Sequence, residues 1–260
     1  MLTHLNFSKA IHILMPLLIK GLGVVFEATI LGFLLAVILS LFIAIGRLSQ
    51  KKILCGFLTC FLEIIRGTPL LVQLLYIYYV IPLLLVLFLQ RIGFHDAKVV
   101  ISSMIAGVLG LGINYGCYLS EVIRASILAI DIGQTEAAIA LGLSENQTLF
   151  RIVIPQAMRN SIPVFGNYLV MMIKDTSLLS YVTVNELLLR TQAFASQTFL
   201  TIESYTLLAV AYMALSLPLS KIVKIIEMKI KNNMQISNNS SYDTDLPKDK
   251  LDPQAFQTRF

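Results

Sequence analysis

Uncharged apolar stretches of nearly constant length recur along the chain, at residues 28–46, 67–90 and 99–120. A hydrocarbon core about 30 Å thick takes about 20 residues of helix to cross, so each stretch predicts one membrane span. Two further stretches are less clean. Residues 160–173 are cut by Lys174 and Asp175 before the apolar run resumes at Thr176, and residues 204–220 are slightly short. The pattern predicts an all-α integral membrane protein with about five transmembrane helices.

The segments between the spans are punctuated. After Arg47 to Lys52 the chain re-enters at residues 53–65, too short to span, then meets Arg66-Gly67-Thr68-Pro69, a helix junction by its glycine and proline. Gly32, Ala36, Ala44 and Gly46 in the first span permit close helix approach, which drives association in lipid. The third span holds Gly107, Gly110, Gly112 and Gly116, a density explained either by tight packing or by close approach of backbone to a substrate or partner helix. Residues 11–19 are apolar like a signal core, but Pro16 interrupts them and Lys20-Gly21 follows without a small-residue cleavage site. Residues 1–20 are therefore expected to form an interfacial segment and 21–228 the transmembrane domain. From Asn232 onward the chain is too polar to offset the entropy of folding, so 229–260 reads as a disordered cytoplasmic tail.

Composition agrees with lipid as the main solvent: 57% hydrophobic and 13% charged residues, with a mean hydropathy of +0.79. The net charge of +5 does not point to nucleic acid, because the basic residues flank apolar spans instead of lining a solvated stripe. They set orientation. Arg47, Lys51 and Lys52, then Arg151 and Arg159, then Lys221, Lys224, Lys229 and Lys231 fall on one side if the N-terminus is outside, leaving Lys9, Lys20, Arg91, Lys98 and Arg190 opposite. The C-terminus is accordingly expected in the cytoplasm. Cys55, Cys60 and Cys117 form no CxxC pair and have no histidine at ligand spacing, so no metal site is indicated.

Residues 127–155 form the one long cytoplasmic segment of mixed polarity, and two short helices are written into it. Glu136, Ala137, Ala138 and Ala140 favour helix, Gly142 suits the left-handed residue that ends one, and Ser144 with Gln147 makes a capping box for the next. Pro155 suits the opening of a further helix. A helix, turn and helix on the cytoplasmic side of a membrane bundle reads as a docking element.

Here the sequence resembles the type I permease subunits of bacterial ATP-binding-cassette (ABC) importers, whose cytoplasmic signature reads Glu-Ala-Ala, three residues, Gly, nine residues, Ile, any residue, Leu, Pro. Glu136-Ala137-Ala138, Gly142, Ile152 and Pro155 fall on it, with Ile154 in place of the leucine. Further motifs resemble the polar amino acid branch of the family, which includes histidine, glutamine and arginine permeases. They are Glu63-Ile64-Ile65-Arg66-Gly67-Thr68-Pro69-Leu70-Leu71-Val72-Gln73, Tyr118-Leu119-Ser120-Glu121-Val122-Ile123-Arg124, Gly133-Gln134, Pro155-Gln156-Ala157 and Lys174-Asp175-Thr176-Ser177-Leu178, together covering roughly residues 21–227. Asn114-Tyr115-Gly116-Cys117-Tyr118 departs from the usual Asn-Ser-Gly-Ala-Tyr, which alters the expected cavity wall.

The resemblance implies that the loop docks in a groove of a separate ATPase. It also implies two ATPase copies, a second permease chain (identical or related), an extracytoplasmic amino-acid-binding protein and a place in the bacterial inner membrane. ATP and Mg would belong to the ATPase; this chain has no Gly-Lys pair and hence no phosphate-binding P-loop, and no cofactor is expected on it. A secondary transporter would show inverted repeats and paired broken helices. A membrane enzyme would show a nucleophile set or metal-ligand cluster, whereas His4, His12 and His95 are scattered.

Ionised side chains within spans are costly, roughly 2.5 to 3.5 kcal/mol on insertion scales, and mark functional positions. Lys174 and Asp175 qualify. Adjacent residues point about 100° apart on a helix, so each needs its own partner, and the two are candidates to meet the carboxylate and ammonium of an amino acid, with Thr176 and Ser177 beside them. Glu63 with Arg66 and Glu121 with Arg124 are spaced i, i+3 and suit local ion pairs. The resemblance places Glu63, Arg66, Thr68, Asn114, Tyr118 and Glu121 along the translocation path. Glu27 and Glu203 read as interfacial charges.

Overall fold

The structure, a computed structural model, describes residues 5–49 and 51–242, and every element in it is helical. Helix α1 spans Phe7–Arg47, α2 Lys52–Arg66, α3 Leu70–Leu75 and α4 Ile81–Arg91. Helix α5 spans Ser103–Leu128, α6 Ile132–Ala140, α7 Glu145–Thr148, α8 Ile154–Asp175, α9 Leu187–Thr198 and α10 Thr201–Tyr242. Five long helical stretches lie where the five spans were expected. Those at Phe7–Arg47, Leu70–Arg91 and Thr201–Ile230 are long and apolar enough to cross a membrane. The third and fourth stretches, α5 and α8, carry more polar side chains and are not among the helices that length and composition mark as able to cross.

Helix α1 has no break at Pro16 or Lys20. A proline inside a helix removes one hydrogen bond, but Leu14, Leu18 and Val25 are buried along one face among Leu187, Phe194 and Leu208 of α9 and α10, and that packing carries the helix through. The boundary expected at residue 20 therefore has no counterpart in the backbone. Asn6 caps the helix, its side chain accepting from the Lys9 amide at 3.0 Å. The Asn6 amide donates to Glu203 at 2.6 Å, which ties the start of α1 to the start of α10. Glu203 is 4% exposed; it is a tether between helices, not the interfacial charge the sequence pattern predicts. Glu27 is exposed.

Prolines widen two helices without ending them. A π-helical turn at Tyr76–Val80 precedes Pro82 and joins α3 to α4, and another at Leu149–Val153 precedes Pro155 and joins α7 to α8. A wider turn makes room for the proline ring, which would clash with the carbonyl four residues earlier. Pro155 thus continues a helix that the sequence pattern reads as newly opened. At the other end of α8 the α-helix stops at Asp175 and tightens into a 3-10 segment, Thr176–Val182, ended by left-handed Thr183. Helix α10 continues to Tyr242, past the start of the expected disordered tail, since extending a formed helix is far easier than nucleating one. The rest of that tail lies outside the described residues.

The core is the contact between α1 and α5. A Cβ on Gly112 would lie 2.5 Å from a methyl of Leu35, and one on Gly116 would lie 3.3 Å from the Ala36 carbonyl oxygen. Gly110 leaves room in the same way for Leu74 of α3, and Gly107 for Leu179. Tight helix packing accounts for the glycine density. We predict that Gly112→Ala lowers the melting midpoint of the purified protein in detergent, by an overpacking cost of about 1–3 kcal/mol. Gly56→Ala, where a Cβ meets nothing, should leave the midpoint level or raise it slightly; equal midpoints for both variants would contradict this packing.

Candidate functional site: a polar cavity and a docking element

Three chain segments converge on a cavity of about 490 Å³. The junction between α2 and α3 supplies Arg66, Gly67, Thr68, Pro69 and Leu70; α5 supplies Asn114, Tyr115 and Tyr118; α8 supplies Tyr168, Met171 and Asp175. The junction is irregular because Pro69 bars helix, and its loose backbone groups are gathered by Gln73. The Gln73 amide nitrogen donates to the Ile65 carbonyl (2.7 Å) and contacts the Thr68 carbonyl and hydroxyl (both 3.0 Å), while its oxygen accepts from Asn114 at 3.1 Å. Gln73 is 8% exposed. The sequence motif contains it, but its role as the clip between the junction and α5 was not foreseen; the signal available was a lone amide inside the run Leu70 to Leu75.

The walls carry both signs of charge. Asp175 accepts a 2.6 Å hydrogen bond from the Tyr115 hydroxyl. The Arg66 guanidinium lies 5.4 Å above the Tyr118 ring. Tyr168 stands between the two, edge-on to Tyr115 and stacked with Tyr118, which fixes an aromatic wall. Tyr115 is one of two residues, with Cys117, at which this segment departs from the pattern it resembles, and it supplies the partner that Asp175 needed.

Below Tyr118, Glu121 joins α1, α2 and α5. It pairs with Arg47, with Arg124 at 3.0 Å and with Arg66 at 3.7 Å. Three guanidiniums about one carboxylate leave an excess of 3 − 1 = 2 positive charges beside the cavity. The expected pair between Glu121 and Arg124 forms. The one expected between Glu63 and Arg66 does not: among the described residues Glu63 joins no ion pair, because Arg66 turns to Glu121 on the neighbouring helix. Lys174 is exposed and lies off the cavity lining, as adjacency to Asp175 on a helix requires. Thr176 is buried, its hydroxyl donating to the Ile173 carbonyl at 2.6 Å, and Ser177 is half-buried behind the wall.

The second feature is the turn between α6 and α8. Asp131 caps α6 by accepting from the Gly133 amide at 2.7 Å. The helix ends in paired bonds, Leu143 amide to Ala138 carbonyl and Gly142 amide to Ile139 carbonyl, with Gly142 at φ +87°. The Ser144–Gln147 capping box then starts α7, both of its hydrogen bonds being present. Glu136, Ala137, Gly142 and Pro155 are exposed, Ala138 is buried and Ile152 half-buried. The signature residues therefore divide: Ala138 anchors α6, and the others present a surface. Leu141 (82% exposed), Ile132 and Phe150 add apolar area to it and were not singled out from the sequence. Ile127, Val153 and Ala157 pack in the main core, and Ser161 donates to Ser126 at 3.0 Å, so the element sits on α5 and α8 together.

Comparison with known proteins identifies the family. The family of binding-protein-dependent transport system inner membrane components matches residues 36–232. A probable amino-acid ABC transporter permease of Sinorhizobium fredii is 34% identical over 86% of this chain and 91% of its own length. The glutamine transport system permease of Escherichia coli is 33% identical over 86% and 97%, and the L-cystine transport system permease of Bacillus subtilis 37% identical over 70% and 72%. Among solved structures, an amino acid ABC transporter described with histidines superposes with a TM-score of 0.75 at 33% identity, covering 87% of this chain and 100% of that one. An inward-facing methionine ABC transporter shares the fold at 15% identity and a TM-score of 0.54. The chain belongs to the inner membrane permease components of binding-protein-dependent ABC transport systems.

Proposed function

We propose that this chain is the translocation subunit of an ATP-driven importer of polar amino acids, and that the Arg66–Asp175 cavity holds the substrate's zwitterionic head. The observation that carries this is one cavity with a guanidinium on one wall and a tyrosine-held carboxylate on another, connected through α5 to an exposed docking turn. An amino acid brings a carboxylate and an ammonium. Arg66 suits the first by its fork of donors; Asp175 and the faces of Tyr118 and Tyr168 suit the second. Relatives named for glutamine and L-cystine support this substrate class.

This chain performs no covalent chemistry. A partner ATPase, in two copies, binds ATP and Mg and docks on Glu136, Ala137, Gly142 and the apolar residues beside them. A second permease chain completes the pathway, and an extracytoplasmic binding protein delivers substrate. With the N-terminus outside, α6 and α7 face the cytoplasm. ATPase closure moves the turn, and α5 and α8 carry that movement to the cavity, shifting the balance of inward-open and outward-open states.

Two variants separate the sites. Gly142→Asp strains the turn at φ +87° and places a carboxylate on the docking face, where the side chain meets nothing else in this chain. We expect it to stay in the membrane while co-purification of the ATPase falls; unchanged co-purification and uptake would sink the docking assignment. Asp175→Asn keeps the shape and a hydrogen bond to Tyr115 but removes the charge, and loss of a charge-assisted contact corresponds to about ten- to a hundredfold in affinity. Uptake should rise in KM by about that factor with ATPase binding intact, and wild-type kinetics for every transported amino acid would remove Asp175 from the site.

A further inference from the structure

Helix α2 packs against the end of α1 that carries Arg47 and against α5. Residues along most of its length meet the same final turn of α1: the Cys55 thiol donates to the Arg47 carbonyl, Leu58 fills the space over Gly46, Thr59 accepts from Arg47, and Leu62 packs on Ile43. The inward face of the helix, Leu58, Phe61, Leu62 and Ile65, is taken up by these contacts. A second apolar stripe faces away: Ile53, Phe57 and Ile64 follow helical spacing and are 91%, 68% and 59% exposed. At its start lies a shallow, open recess lined by Lys51, Lys52, Ile53, Leu54 and Phe57. Both lysines are exposed, and among the described residues neither joins an ion pair.

We infer that this recess is a binding site for a phospholipid with an anionic headgroup, the phosphate region meeting Lys51 and Lys52 and an acyl chain lying along Ile53 and Phe57. Two exposed lysines flanking a shallow apolar recess, on a helix packed against the end of a spanning helix, match a molecule that is anionic at one end and hydrocarbon at the other. The inference goes beyond the importer reading and needs from it only that the chain lies in a bilayer.

The chain has no tryptophan, so Phe57→Trp provides a single indole at the recess. The full-length variant would be reconstituted in phosphatidylcholine vesicles containing equal small fractions of brominated phosphatidylglycerol or brominated phosphatidylcholine, and bromine quenching of the indole compared. Brominated phosphatidylglycerol should quench more strongly at low mole fraction, with a preference of about fivefold for each lysine engaged. The added change Lys51→Gln with Lys52→Gln should erase that preference. A separate Leu87→Trp reporter, on exposed lipid-facing α4, should show none. Equal quenching by both lipids at position 57, or an equal preference at position 87, would overturn the site. Absence of quenching at position 57 by either lipid would overturn it too, by showing that protein covers the recess. All the altered side chains are exposed, so the fold is not at stake.

Discussion

Helices in lipid gain little by hiding apolar surface from one another, so they hold together where backbones come close enough for dense packing and for polar groups to meet. In this chain that condition is met between α1 and α5. Gly112 lies over Leu35 and Gly116 against the Ala36 carbonyl, with no side chain of their own between the helices. Pinned there, α5 presents Asn114, Tyr115 and Tyr118 to the cavity, Glu121 to the arginine cluster, and Ile127 to the base of the docking turn. The cavity and the turn sit at two levels of one helix, which is the path the proposed coupling takes.

The polar interior follows from the same arrangement. Gln73, Asn114 and Asp175 could not face hydrocarbon unpartnered. Each is held by a neighbour: Gln73 and Asn114 by one another, Asp175 by Tyr115. Arg66 occupies a middle position, over Tyr118 and within 3.7 Å of Glu121, so it stays solvated by protein whether or not a substrate carboxylate is present. Helices that line such a cavity need not be uniformly apolar, and α5 and α8 are not.

Local features were readable from residues alone. The capping box at Ser144 and the left-handed Gly142 depend on neighbours a few positions away or on backbone geometry that residue type dictates, while the α5 glycines marked a close approach without saying what approaches. Contacts between distant segments were not readable. Asn6 with Glu203, Asn114 with Gln73 and Asp175 with Tyr115 are 197, 41 and 60 residues apart, and no spacing rule links such pairs. The same limit explains the two misplaced charges: Glu63 sits at ideal spacing from Arg66, yet a carboxylate on another helix takes the arginine, and Lys174 shares the polarity of Asp175 but not its side of α8. Pro16 was read as a helix interruption because proline chemistry is local, whereas burial along α1 decides the outcome; Pro155 does stand in the first turn of α8, but a π-turn joins that helix to α7.

The central claim is that this cavity and this turn together move an amino acid at the expense of ATP. It is tested most directly by measuring energy-dependent uptake of a panel of labelled amino acids in cells with and without the gene. Uptake of one or a few polar amino acids that appears only with the gene, and stops when cellular ATP is depleted while the membrane potential is kept, is the predicted result. Gene-dependent uptake that survives ATP depletion and collapses with the ion gradient would contradict the account, as would gene-dependent uptake of a solute with no zwitterionic head.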